Sequence, residues 1–206
     1  FLYWLREGDL RMQGLVLRGG HHPRMRVWWV GETEHPYEWG VVDQTRDGHQ
    51  RFTLLSLAAD GSVWGIQQDE EMQPTLGGVG EAQWADLNGD ERPELVAWLR
   101  ATTDSLFTEC ASCPHLITER TFIESRGVFE LQDERLLPTP YATLVLFVRL
   151  LIDGHLTQAE RLVRDPAKVQ AAVAQGWNRR PIHSPWKVES GEANTTWPRR
   201  LAVSMG

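Results

Sequence analysis

Between Asp86 and Glu94 the chain sets oxygen-bearing side chains at alternate positions: Asp86, Asn88 and Asp90, then Glu94 beyond Arg92-Pro93. Calcium takes six to eight oxygen ligands, and a compact loop supplies them by making successive side chains converge. With Asp86 as the first position, side-chain oxygens fall at the first, third, fifth and ninth, and the backbone carbonyl of Arg92 falls at the seventh. The spacing matches the start of an EF-hand loop, but the end does not. Ala97 stands at the twelfth position, where an EF-hand needs a bidentate Glu, and the flanks have the pattern of strands. An ion-free turn is the competing reading, because Asp and Asn form Asx-turns without a metal.

This combination resembles the FG-GAP or VCBS-type repeat, whose DxNGDGxxDLxV core joins two strands of a propeller blade. The resemblance spans residues 81–99 and is carried by Asp86, Asn88, Gly89, Asp90, Leu95 and Val96. Glu94 stands where the repeat has Asp, and Glu91 where it has Gly. If that sixth position takes a positive φ, Glu91 carries roughly 1 kcal/mol of strain. The resemblance implies a structural calcium ion held by Asp86, Asn88, Asp90, the Arg92 carbonyl and Glu94. A weaker copy begins 43 residues earlier, at Asp43. There Thr45 is a poor ligand and the ninth position is Arg51, a cation, so no ion is expected. A period near 40 to 50 suits a propeller blade. About three such units fit the span, fewer than the four or so of a closed propeller, which predicts an open or incomplete sheet assembly.

Cys110 and Cys113 are the two cysteines. A redox CxxC opens a helix after a strand, but Pro114 and the strand-like Leu116-Ile117-Thr118 follow here. Zinc needs four ligands; His115 is adjacent, but neither a second CxxC nor an HxxxH appears. A local disulfide is the preferred reading, and disulfides persist outside the cytosol. The seven histidines are scattered, and His21-His22 beside Gly19-Gly20 is read as a solvated loop. There is no GxSxG, P-loop or HExxH, so no catalytic residue is assigned.

Composition narrows the classes further. A formal net charge of −7 repels phosphates, and the Arg pairs at 179–180 and 199–200 are isolated, which excludes a nucleic-acid partner. Ten tryptophans suit core and cross-strand packing, with an aromatic carbohydrate platform as the sharper alternative. The longest apolar stretch, Leu144 to Ile152, contains Arg149 and is too short to span a bilayer. The chain opens on Phe1 rather than Met; a processed N-terminus is expected, and any lipid anchor would lie outside this chain.

The elements that must position these residues divide the sequence in two. Strand patterns cover Leu2–Leu5, Leu15–Leu17, Met25–Val30, Phe52–Leu57, Val63–Ile66, Leu95–Leu99, Thr118–Glu124 and Val128–Leu131. Asp60-Gly61 and Ser125-Arg126-Gly127 mark hairpin turns. Leu137-Pro138-Thr139-Pro140 breaks the pattern. Helical spacing follows: Tyr141 to Ile152 with Leu144, Phe147, Leu150 and Leu151 on one face, a helix capped by Thr157 and Glu160, and a third from Asp165-Pro166 to about Ala174. Short strands at Trp186–Val188 and Leu201–Val203 close the chain. Ala142, Phe147, Leu150, Gly154, His155, Ala159 and Leu162 make residues 141–165 resemble the helix pair of an NTF2-like or cystatin-like module, which implies a small-molecule or dimer site; three amphipathic helices packed on the β half are the competing reading. The expected fold is α+β: a β-rich domain at 1–138 and a small α+β subdomain at 139–206. The expected function is a non-catalytic, extracytoplasmic, bacterial-type binding or scaffolding protein of the periplasm or cell surface, with a protein or polysaccharide ligand. The alternative is a hydrolase of cell-wall or carbohydrate material working through a carboxylate pair.

Overall fold

The computed structural model describes residues 2–6, 9–13, 21–29, 37–58, 63–67, 76, 78–102, 104–108, 110, 113–125, 128–190, 192 and 197–204. The fold is α+β, with antiparallel sheets first, three short helices next and a C-terminal hairpin last. No helix among the described residues is long and apolar enough to cross a membrane. The chain forms two compact units, one of residues 1–99 and 118–135 and the other of residues 100–117 and 136–206. It therefore changes unit three times, and the proline-rich break at 137–140 lies beside the last change. The apolar run Leu15–Leu17 and the turns at Asp60-Gly61 and Arg126-Gly127 lie outside the described residues.

The first unit contains a hairpin, β1 (Leu2–Arg6) with β2 (Asp9–Gln13), and two four-stranded sheets. One sheet runs β3 (His21–Trp29), β4 (Tyr37–Gln44), β5 (Gln50–Leu57), β6 (Val63–Gln67) in chain order. The other has the order β10-β9-β8-β7, from β7 (Gly80–Ala85), β8 (Glu94–Arg100), β9 (Ile117–Ser125) and β10 (Val128–Leu136). Inward side chains of both sheets meet in one core: Trp28, Val42, Phe52 and Leu54 from the first, Ala82, Leu95, Ala97, Leu99, Phe122 and Phe129 from the second. Trp84 packs against this core, 5.5 Å from the Trp28 ring and 5.2 Å from Phe129. Gly40 makes room for it, since a Cβ there would lie 2.2 Å from the Trp84 ring.

The sequence pattern does not single out β2, β4 or β7. In β4 the reason is burial on both faces: every residue from Glu38 to Asp43 is buried, so apolar and polar positions never alternate. β10 runs five residues past the predicted Leu131. Its charged stretch is held by pairs to β9, Arg120 to Glu134 and Arg135 to Glu119, the cross-strand pairing that stabilises an exposed sheet face. The 43-residue spacing of the two Asp loops is not a structural repeat. The first loop joins β4 and β5, the central pair of its sheet, and the second joins the edge strand β7 to β8.

The second unit is built on α1 (Pro140–Ile152), which packs with Leu106, Phe107, Leu116, Trp186 and Val188. Thr139, fully buried, caps it by accepting a hydrogen bond from Ala142 N at 3.1 Å, and Pro140 takes the first helical turn. The buried stripe is Tyr141, Ala142, Val145, Val148 and Leu151. This corrects the expected face: Leu144, Phe147 and Leu150 are only partly buried. Arg149 forks onto Asp104 at 2.6 and 2.9 Å. That bond, with Asp104's charge and against burial, raises the guanidinium above its ordinary value. α2 (Leu156–Glu160) begins one residue before Thr157, so Thr157 is not its cap. The left-handed Gly154 and the bond from His155 N to Leu150 O end α1 so tightly that the next helix starts at once. α3 (Ala167–Ala174) has Pro166 at its N-cap position, one residue later than expected, and Asp165 accepts from Ala167 N at 3.0 Å just ahead of it. β11 (Lys187–Ser190) and β12 (Leu201–Ser204) form the closing hairpin. Of the tryptophans whose side chains are described, Trp28, Trp39 and Trp186 are buried, whereas Trp29 and Trp197 are exposed.

Candidate metal centre at the Asp86 loop

The β7–β8 connection is a tight turn held by its own acidic side chains. Asp86 accepts from Gly89 N at 2.7 Å and from Glu91 N at 3.1 Å. Asn88 Oδ1 accepts from Asp90 N, and Asp90 Oδ1 accepts from Arg92 N, both at 2.8 Å. Glu94 Oε2 accepts from Leu87 N at 2.6 Å. The Asn88 amide nitrogen donates to Asp90 at 3.1 Å and to Glu94 at 2.9 Å. One turn thus brings Asp86, Asn88, Asp90 and Glu94 together, as their spacing predicts. The physical reason is the short Asp and Asn side chain, which reaches amides two or three residues on.

Two backbone features shape the turn. Gly89 has φ 79° and Glu91 has φ 69°. The second is the sixth position, where the resembling repeat carries Gly, so Glu91 adopts the left-handed conformation at a cost of about 1 kcal/mol. Arg92 fixes the outer side of the loop through an ion pair with Glu124 of β9 at 3.0 Å. Glu94 is 7 % exposed and begins a strand between the buried Pro93 and Leu95.

The donor set suits calcium by its chemistry. Each bonded carboxylate oxygen has accepted one N–H bond and has further lone-pair capacity. Asp86, Asp90 and Glu94 would hold the ion through side-chain oxygens and Arg92 through its carbonyl; Asn88 would join them only by turning its amide, whose nitrogen here donates to Asp90 and Glu94. Among the described residues no group of three or more His, Cys, Asp and Glu side chains is drawn together as tightly as a metal cluster.

The loop at Asp43 uses its residues differently. Arg51 donates through Nε to Asp43 Oδ1 at 2.9 Å and through an Nη to Oδ2 at 3.0 Å. Asp43 is 6 % exposed, and Asp43 and Arg51 are directly opposite in the β4–β5 register. The loop's sixth position, Gly48, also has positive φ, 85°. Its backbone is stitched to the start of β7: Gln50 N donates to Gly78 O at 3.1 Å and Gly80 N to Gly48 O at 3.3 Å.

Cys110 and Cys113 are joined in a disulfide with Cα atoms 5.0 Å apart, closing a turn in which Cys113 N donates to Cys110 O. His21 and His22 belong to β3 rather than to a loop, and His22 has φ 50°; Gly19-Gly20 lie outside the described residues. The residues around His22 escaped the sequence reading. Their one legible signal was Pro23 just ahead of the Met25–Val30 strand pattern, since Pro beside or within a strand marks an edge or a bulge. No protein-family model, no curated protein and no solved structure matches the chain.

Proposed function

We propose that this protein is a non-catalytic, extracytoplasmic binding or scaffolding module whose Asp86 loop holds a structural calcium ion. The observation that carries this reading is the sixth position of the loop. Glu91 sits at φ 69°, the conformation for which the resembling calcium repeat uses Gly, while the four predicted oxygen-bearing side chains share one turn. The ion's role is to tie β7 to β8 and relieve repulsion among Asp86, Asp90 and Glu94. The Cys110–Cys113 disulfide agrees with an oxidising compartment, where calcium is abundant enough to fill a modest site.

A structural role also suits the buried carboxylates. Among the described residues these are Glu38, Asp43 and Glu94. Glu38 accepts from the Trp28 indole at 3.2 Å, Asp43 is forked by Arg51, and Glu94 holds the turn. Each therefore has a packing partner that explains its place without catalysis.

Thermal unfolding with millimolar calcium and with chelator tests the proposal. Calcium is expected to raise the melting temperature, with about 2.7 kcal/mol of added stability at a hundredfold excess over Kd. Magnesium should do much less, because it demands octahedral geometry at shorter distances. Superimposable unfolding curves with calcium and with chelator would end the calcium reading.

A further inference from the structure

A second polar site lies in the first unit, apart from the calcium loop. An open cavity of about 230 Å³ is lined by residues of β3, β4, β5 and β7. Its geometry starts at a break in β3. The β3–β4 register shifts between His21 and Arg24, and within that irregularity His22 takes φ 50° immediately before Pro23. A proline is tolerated there because β3 is an edge strand and the ladder is already broken. A left-handed histidine is costly to hold, and such positions concentrate where a side chain is aimed at a ligand.

The cavity wall carries both donors and acceptors. His22 and Arg24 contribute from β3. Arg24 reaches only the carbonyl of Ala82, at 3.5 Å, and among the described residues it makes no ion pair. Gln44 comes from β4, Gln50 from β5 and Glu81 from β7. The two glutamine NH2 groups are spent on the carbonyls of Gly48 and Gly80, the shortest bond being Gln50 to Gly80 at 2.8 Å. Their amide oxygens are left as acceptors, and Gln50 is only 8 % exposed, so its orientation is fixed. Glu81 likewise makes no ion pair among the described residues. A guanidinium and a carboxylate thus line one cavity without satisfying each other.

We propose that this cavity binds a free α-amino acid as its zwitterion. The ligand carboxylate meets the Arg24 fork with His22 beside it. The ammonium meets Glu81 and the oxygens of Gln44 and Gln50, and Val42 and Ala82 provide an apolar floor. Unpaired groups of both signs favour a zwitterion over a phosphate, which Glu81 would repel. Among the described residues no Trp, Tyr or Phe lines the cavity, which disfavours a sugar needing a broad stacking platform. The volume is below that of sites for drug-sized ligands and suits a smaller molecule. The proposal is independent of the calcium reading, and either can fail alone.

Saturation-transfer NMR on the full chain with an equimolar mixture of the twenty standard L-amino acids tests it, followed by calorimetric titration of the strongest responder. At least one amino acid should bind. Its N-acetyl and methyl ester derivatives should each bind at least tenfold more weakly to the unaltered protein, because each removes one charge. Arg24→Met and Glu81→Gln should show the same loss while keeping the parent melting temperature, since both side chains are exposed. Absence of saturation transfer, equal binding of either blocked derivative, or glucose binding in place of every amino acid would overturn the proposal.

Discussion

The Asp43 and Asp86 loops begin with the same residue type, connect antiparallel strands and share a left-handed sixth position, yet they neutralise their acidic groups in opposite ways. At Asp43 the ninth residue is Arg51, and its guanidinium forks onto the carboxylate. The protein supplies its own cation there. At Asp86 the ninth residue is Glu94, which adds a third carboxylate, and the turn is held by backbone N–H groups and the Asn88 amide. The sixth residues are mirrored as well. Gly48 adopts φ 85° without strain, whereas Glu91 is forced to φ 69°. The loop with the favourable glycine carries its own cation, and the loop with three carboxylates lacks the glycine.

The largest effect should come from breaking the internal cation. Arg51→Met leaves Asp43, 6 % exposed, as a buried charge without its fork, and should cost about 3 kcal/mol. Denaturant unfolding measures this. Asp43→Leu combined with Arg51→Met should recover most of the loss, because replacing a buried pair by apolar residues is often near neutral. A double variant as unstable as the single one would show that the pair is not the cause.

Next comes the calcium response. Asp86→Ala and Asp90→Ala should each abolish most of the gain of about 2.7 kcal/mol expected at a hundredfold excess of calcium. Asp43→Ala should lower stability yet keep the full calcium shift. If Asp43→Ala loses the shift while Asp86→Ala keeps it, the roles of the two loops are reversed.

Smaller and opposite effects are expected at the shared sixth position. Gly48→Ala forces a Cβ into positive φ, 3.1 Å from Val79, and should cost about 1–2 kcal/mol. Glu91→Gly removes the same kind of strain and should add about 0.5 kcal/mol, the relief being partly offset by glycine's greater freedom when unfolded. Melting temperatures of the two variants should therefore move in opposite directions. A shift of the same sign would mean that backbone strain does not distinguish the loops.

Local chemistry was legible along much of the chain. The Asp86 turn forms as its spacing predicts, because Asx side chains close on nearby amides. Asp165 bonds the first amide of α3, and Gly154 ends α1 for equally local reasons. What escaped was burial by distant partners. β4 lacks alternation because both of its faces are covered. The face of α1 centres on Val145 and Val148 instead of Leu144 and Leu150, since the choice of stripe depends on Phe107, Leu116 and Trp186 in remote segments. The 43-residue echo was a likeness of turns rather than of sheets.

The sequence by itself determined where α1 stops and which loop gathers carboxylates, because those outcomes depend on groups within a few residues of one another. Only the tertiary structure decided what each group faces. It placed Arg51 across a ladder from Asp43 and Glu124 beside Arg92. It gathered Arg24, Gln50 and Glu81 around one cavity, although they lie on three strands far apart in the chain. Strand register and sheet packing arise from the summed burial of many apolar side chains, and no short stretch of sequence contains that sum.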